Sequence, residues 1–317
     1  MTVHVYRSTD SGAPSLTGSG LGSLINVLTW CLVTGSSSPA GWTKPYTGTN
    51  IAIFKQPSTA NQRYLYITEA SANQYAYMTG LETASSISVY SGQFPSSGQN
   101  SGAVNIPRSS TYDATARPWI LVATDKIFYL WINGSSSVPV TVLSNTFSMC
   151  FGDFISIVPG DTYNTILIAY NTATITPSNT QGGLSCINTS LQTLSPGGYV
   201  ARNYTQIGSS INVSRSNNFA FAAAANSSGA LGMPFPNPAD GNIYVSQFYI
   251  GENVGTSSGI YRGYLPGIWN LLHNITSLSD GDQITNIAGL TGKTMEVHFT
   301  YAGGAASGFL LEISNTW

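Results

Sequence analysis

Short runs rich in Val, Ile, Tyr, Phe and Thr, each closed by Gly, Ser, Asn or Pro, recur from one end of this 317-residue chain to the other. That punctuation constrains the fold more than any other feature, because runs this short bury a face only by pairing with neighbours in a sheet. Residues 50–55 (NIAIFK), 63–68 (RYLYIT) and 74–78 (QYAYM) read as successive strands. Residues 119–123 and 126–132 flank Thr124-Asp125, a tight-hairpin signal. Residues 154–158 and 165–170 flank Pro159-Gly160-Asp161, a strong turn signal. Residues 242–250, 260–264, 294–301 and 308–314 carry the pattern onward. The expected fold class is all-β, with antiparallel sandwich or barrel-type units.

One segment departs from this pattern. Leu21, Leu24, Ile25, Leu28 and Leu32 recur at helical spacing, with Ser23 near the start and Gly35 just past the end. This predicts one short amphipathic helix over about residues 21–33, with Trp30 and Cys31 on or beside its buried face. A shorter helical candidate covers residues 268–273, after Pro266-Gly267. Two loops rich in Ser, Gly, Asn and Pro, 91–102 and 226–242, suggest boundaries between an N-terminal β unit (1–95), a central β unit (96–230) and a C-terminal β unit (231–317).

Charged residues make up only 8% of the chain, against roughly 25% in ordinary globular domains. Uncharged polar residues take their place: 75 Ser and Thr together, and 24 Asn. With 11 Lys+Arg scattered singly and a net charge of −2, nucleic acid is not an expected partner. No window of about 18 apolar residues exists, so no membrane insertion is expected. The N-terminus MTVHVYRSTD reads as lacking a signal peptide. Cys31, Cys150 and Cys186 are widely spaced without a C-x-x-C, which suggests buried thiols in a reducing compartment. Six Asn-x-Ser/Thr sequons are about the number that chance supplies at this composition.

Candidate chemistry is sparse. His4, His273 and His298 are isolated, and none has metal-ligand spacing. Alternation places Glu296 and His298 on one face of a strand, which could be half of an acid/base pair, although a solvent-facing or loosely paired polar face is the expected role. Asp280-Gly281-Asp282 reads as a turn whose side chains bond the local backbone, without the Glu that completes a calcium loop. Asp153, embedded in Phe151-Gly152-Asp153-Phe154, reads as an acid anchoring a loop by hydrogen bonds, with a raised-pKa acid as the alternative. No catalytic residue, cofactor or metal site is expected, and the chain reads as a non-enzyme. The candidate binding surface is aromatic: Trp42, Tyr64, Tyr66, Tyr75 and Tyr77, in the first hairpins. Alternation sets Tyr64/Tyr66 and Tyr75/Tyr77 each on one face, as a sugar- or protein-binding platform requires; cross-strand aromatic pairing is the plainer role.

Blocks along the chain resemble a known family. They are residues 6–18 (YRSTDSGAPSLTG), 41–56 (GWTKPYTGTNIAIFKQ), 116–131 (ARPWILVATDKIFYLW), 151–154 (FGDF), 261–273 (YRGYLPGIWNLLH), 280–284 (DGDQI) and 311–317 (LEISNTW). In this order they resemble a family of virion structural proteins of tailed bacteriophages, which supplies no catalytic or binding residues to carry over. The resemblance implies a protein made in the host cytoplasm and located in the virion. It would assemble in multiple copies in the tail or baseplate, with copies of itself and other virion proteins as partners. The alternatives are a head-surface decoration or cement protein, or a tail protein binding host-surface glycan. A polysaccharide depolymerase would need two carboxylates roughly 5–10 Å apart in a cleft.

Overall fold

The computed structural model describes residues 1–69, 73–135, 146–170, 183–185, 198–216, 234–253, 259–273, 277–302 and 305–317. Antiparallel sheets dominate, and a single α-helix, Ser23–Leu32, lies among the described residues. The smaller of the two main sheets has six strands: Thr43–Gly48, Ile51–Lys55, Tyr64–Thr68, Tyr75–Ala84, Tyr90–Phe94 and Val104–Pro107. The larger has thirteen. Its ladder begins His4–Arg7, Trp119–Ala123, Ile127–Asn133, Thr146–Asp153, Thr165–Ile168, Gly198–Val200 and Ile211–Ser216. It continues through Val245–Asn253, Gly259–Leu271, Ala305–Glu312, Met295–Ala302 and Gln283–Ile284, with Ile155–Ser156 attached to Gly259–Leu271.

Alternation along the strands explains how these elements stack. In Trp119–Ala123, residues Trp119, Leu121 and Ala123 face one hydrophobic core, and Ile120 and Val122 face another. The first core is closed by the six-stranded sheet (Phe54, Leu65, Ile67, Met78) and by the helix (Leu24, Val27, Leu28, Cys31, Leu32). The second is closed by Phe248, Ile250, Leu265, Ile268, Phe309 and Leu311 of the C-terminal strands. A third core covers the far side of those strands with Ile243, Leu271, Ile284, Ile287 and Met295. Ile127–Asn133, pressed between two cores, is buried at every residue, which is why it reads as a continuous apolar run. Each fully buried Leu, Ile or Phe there contributes about 1.5–3 kcal/mol.

The structure corrects three readings of local sequence. The turn at 159–161 forms, with Gly160 at φ 68°, but its flanks do not pair with each other. Ile155–Ser156 joins Gly263 and Tyr264, while Thr165–Ile168 joins Thr146–Asp153. Residues 268–273 are not helical, because Ile268, Trp269 and Asn270 pair with 309–311 inside Gly259–Leu271. Pro266-Gly267 makes a bulge there: the register passes from Phe248↔Leu265 to Gln247↔Trp269, leaving out residues that include a proline with no N–H to donate. The helix begins at Ser23, so Leu21 stays outside it and 42% exposed. The ladder also crosses both expected unit boundaries, since 4–7 pairs with 120–123 and Val213 pairs with Glu252. Cys31 and Cys150 are buried, and burial raises both thiols well above their usual range; Cys186 lies outside the described residues.

Candidate functional site

The six-stranded sheet brings three of the five expected aromatic residues together. Leu65, Ile67, Ala76 and Met78 point into the core. The register Tyr66↔Thr79 and Thr68↔Tyr77 therefore sets Tyr64, Tyr66 and Tyr77 on the opposite, outer face, where all three are half-buried; Tyr75, at the start of its strand and also half-buried, packs against the first core. Tyr66 lies 5.7 Å from Tyr90 between ring centres, and Lys55 Nζ sits 5.3 Å above the Tyr64 ring. Trp42 is elsewhere. It is buried in the first core, edge-on to Phe128 and Phe151 at 5.6 and 5.9 Å, with its indole N–H donated to the Thr124 carbonyl at 3.0 Å. The backbone N–H of Trp42 bonds the Leu32 carbonyl at 3.0 Å, so the chain leaving the helix turns this side chain inward. Trp42 is a core residue and drops out of the surface.

Eight of the scarce charged side chains are buried: Glu69, Arg108, Arg117, Asp153, Glu252, Arg262, Glu296 and Glu312. Glu69 is fully buried and closes the helix N-terminus from a distant part of the chain. Its carboxylate accepts from the Ile25 N–H at 2.8 Å and the Leu24 N–H at 3.4 Å. It thus occupies the place of the absent side-chain cap at Gly22 and meets the positive end of the helix dipole. Arg108, also fully buried, pairs with it at 3.0 Å and donates to the carbonyls of Thr17, Gly20 and Asn73. Burial raises the Glu69 carboxyl, and Arg108 opposes that rise.

Arg262 anchors a second cluster. Nε and Nη2 grip both oxygens of Asp161 at 2.9 and 3.0 Å, Nη2 also reaches the Tyr163 carbonyl, and Nη1 reaches Glu252 and the Arg202 carbonyl. All five guanidinium N–H groups therefore have an acceptor. Next to it, the Tyr163 ring lies between the guanidinium groups of Arg63 and Arg202 at 4.7 and 4.1 Å, and Arg202 holds Glu82 through two 2.7 Å bonds. This chain of contacts ties the six-stranded sheet to the C-terminal strands. Asp153 is bound by Gln56, Asn61 and Thr165 at 2.9, 2.8 and 2.5 Å, which makes it the anchor the sequence suggested.

The third cluster is different. Glu296 and His298 share a face of Met295–Ala302, as alternation requires, but that face is buried and each residue is only 3% exposed. The expected solvent-facing role is thus corrected: Gln283–Ile284 and Ala305–Glu312 flank the strand, and Trp131 of the neighbouring layer lies 5.3 Å from the imidazole. Arg7, from the first strand, grips Glu296 at 2.8 and 2.5 Å. His298 lies 3.3 Å from Glu296 through Nε2 and 3.5 Å from Asp280 through Nδ1. Burial alone would lower the imidazole pKa, but the two carboxylates overcome it and raise it to about 9. Burial likewise would raise Glu296, but His298 and Arg7 hold it down at about 2. At neutral pH the cluster is two cations against two anions, and neither Glu296 nor His298 exchanges a proton easily near pH 7.

This cluster lines a cavity of about 190 Å³ together with Trp119 and Trp131. Of its lining residues, Trp131 has an indole N–H with no hydrogen-bond partner, and His298 Nε2 is close to Glu296 but misaligned. Asp280 also accepts the Phe299 N–H at 3.0 Å, and Asp282 accepts the Ser279 N–H at 2.7 Å, so both acids of the Asp-Gly-Asp turn bond backbone as expected. His273 is buried and fully used, with Nδ1 against the Pro234 carbonyl and Nε2 accepting the Tyr244 N–H, both at 2.6 Å. Among the described residues, no group of three or more His, Cys, Asp or Glu is placed to hold a metal ion, and no helix is long and apolar enough to cross a membrane. The chain matches no protein-family model and no curated protein.

Proposed function

We propose that this protein is a virion structural protein of a tailed bacteriophage, assembling in multiple copies in the tail or baseplate through protein–protein contacts. One observation carries the reading: large apolar side chains are turned outward in one region, while eight charged side chains are buried. Ile155, Ile157, Tyr204, Ile207 and Tyr261 are all exposed, Ile207 and Ile157 most of all at 72% and 60%. They lie on three segments fastened by the Arg262 cluster. Ile157 donates its N–H to the Arg262 carbonyl, Tyr204 donates its N–H to Glu252, and Thr162 reaches Gln206. An apolar region on a rigid, uncharged polar surface suits contacts between subunits, which exclude charge from their centres. A head-surface position is an alternative address for the same contacts, with other virion proteins as neighbours.

Mass spectrometry of purified particles is the test. The reading predicts the chain as a multi-copy component, lost from particles when Ile157→Glu or Ile207→Asp is introduced into folded protein. Absence of the chain from the particle would sink it. The outer tyrosine face formed by Tyr64, Tyr66 and Tyr77 favours a second reading, a tail protein binding host-surface glycan. Under that reading Tyr66→Ala and Tyr77→Ala weaken adsorption of particles without changing their composition. A non-enzymatic role is part of the proposal. It is supported by the low pKa of Glu296, the opposite of what a glycosidase acid requires; Asp153, by contrast, is raised by burial despite its three donors, and is the acid to test. Release of reducing ends from host glycan, abolished by Asp153→Ala or Asp282→Ala, would overturn it.

A further inference from the structure

We infer that the cavity between Arg7, Trp131, Asp280, Glu296 and His298 is a binding site for one neutral, hydroxyl-bearing ring, a single saccharide unit. Size sets the first limit. A cavity of about 190 Å³ is slightly larger than the roughly 150 Å³ that holds one benzene ring and well below the roughly 300–1,000 Å³ of drug-sized pockets. One six-membered ring with its substituents fits, and a second ring does not.

Polar chemistry sets the class. Trp131 Nε1 is a buried donor without an acceptor, and His298 Nε2 meets Glu296 only in a misaligned 3.3 Å contact, each on a residue 3% exposed. Leaving such a donor unpaired costs about 1–3 kcal/mol. The same cavity is also lined by Asp280 and Glu296, whose carboxylates have lone pairs to spare beyond the bonds they make. A ligand anion would satisfy the two donors but meet both carboxylates. A ligand ammonium would satisfy the carboxylates but meet Arg7, the imidazolium and an indole N–H. A hydroxyl both accepts and donates, so it alone can join an N–H on one wall to a carboxylate on the other without facing a like charge. The lining charges, Arg7 and His298 against Asp280 and Glu296, cancel. Pro118 and Ile120 supply apolar wall for the C–H faces of a ring. The mouth lies at Arg7 and Asp280, whose side chains keep 35% and 23% of their exposure, so a ring at the end of a longer glycan can enter. This inference stands apart from the assembly proposal: ligand binding and subunit association have separate readouts.

The indole N–H signal of Trp131, one of six in the ¹H–¹⁵N spectrum of the full chain, identified by its loss in Trp131→Phe, is the reporter. The probes are glucose, galactose and N-acetylglucosamine, with acetate and methylammonium as charged controls. The expected result is a saturable shift of this signal by at least one of the three sugars, with Kd on the order of 1–10 mM. Asp280→Asn keeps an oxygen for the Phe299 N–H but places a neutral amide opposite the ligand, and it is expected to weaken the shift about tenfold or more. No saturable shift up to about 100 mM sugar, some tenfold above that Kd, means a cavity holding only water, and overturns the inference. So does an equal shift with acetate or methylammonium, or an unchanged sugar affinity in Asp280→Asn.

Discussion

Arg262 and His298 occupy clusters built from the same parts, a buried cation between two carboxylates, yet the two clusters end differently. Around Arg262 every N–H has an acceptor: Asp161 twice, Glu252, and the carbonyls of Arg202 and Tyr163. Around His298 the carboxylates stand farther off, at 3.3 and 3.5 Å, Nε2 meets Glu296 out of line, and the neighbouring Trp131 Nε1 is left unpaired beside a cavity. A fully satisfied ion cluster has no capacity left for a ligand and acts as a strut between layers. An incompletely satisfied one is electrostatically fixed and still able to bind. In a chain with 8% charge, both uses take ionisable groups away from the surface, leaving it to Ser, Thr, Asn and exposed apolar side chains.

The largest effect that separates the two clusters comes from removing the central cation of the strut. Arg262→Met leaves Asp161 and Glu252 buried and uncompensated, with an expected loss of about 3–5 kcal/mol in urea unfolding. Arg262→Lys recovers only part of it, because an ammonium cannot serve both oxygens of Asp161 and two carbonyls in one plane. A loss under about 1 kcal/mol would show that the cluster behaves as a surface pair.

Alkaline pH separates them next. The folded pKa of His298, about 9, is above its ordinary 6.5, so its contribution is complete below pH 6.5 and is lost as pH rises toward 9. The linked change is on the order of 3 kcal/mol. Glu296, held at about 2 against an ordinary 4.5, contributes above pH 4.5 and loses that contribution as pH falls toward 2. Unfolding free energy measured against pH is expected to fall on both limbs, and His298→Gln is expected to remove the alkaline decline between 6.5 and 9. A wild-type curve flat across that interval would contradict the buried imidazolium.

Smaller effects sharpen the picture. Glu69→Gln keeps an acceptor for the Ile25 N–H but leaves Arg108 without its counter-charge, and a loss of about 1–3 kcal/mol is expected, with reduced helical signal by circular dichroism. Arg7→Ala is expected to cost about 1 kcal/mol or less, because more than a third of the Arg7 side chain is in solvent. Within the cavity its main consequence would be a wider mouth.

Some of this was legible in the sequence and some could not be. The strands were, because 51–55, 64–68 and 119–123 alternate or run apolar between turn residues, and the stripe Leu24, Ile25, Leu28, Leu32 marked the helix. Alternation placed Tyr64 with Tyr66 and Glu296 with His298 correctly, but it reports which residues share a face and not what covers that face. For that reason the tyrosines sit outside as read, and the Glu296–His298 pair sits under Trp131 instead of in solvent. Trp42 failed on the same ground. Glu69, Arg108, Asp161 and Arg262 are single charges far apart in the chain, with no motif between them; only the pairing of distant strands brings them into contact. A sharper signal was available at Glu69, a lone acid between strands, given that the helix Ser23–Leu32 has no acidic residue in its first turn.

The most direct test of the account is the salt dependence of self-association. Mass photometry of the purified chain between about 0.05 and 1 M NaCl compares a Debye length of roughly 14 Å with one of 3 Å. If charge is spent inside and the exposed Ile157–Ile207 region makes the contacts, the protein forms oligomers at both salt concentrations and Ile157→Glu reduces them to protomers. Oligomers that dissolve at high salt, or a protomer at every concentration tested, would contradict it.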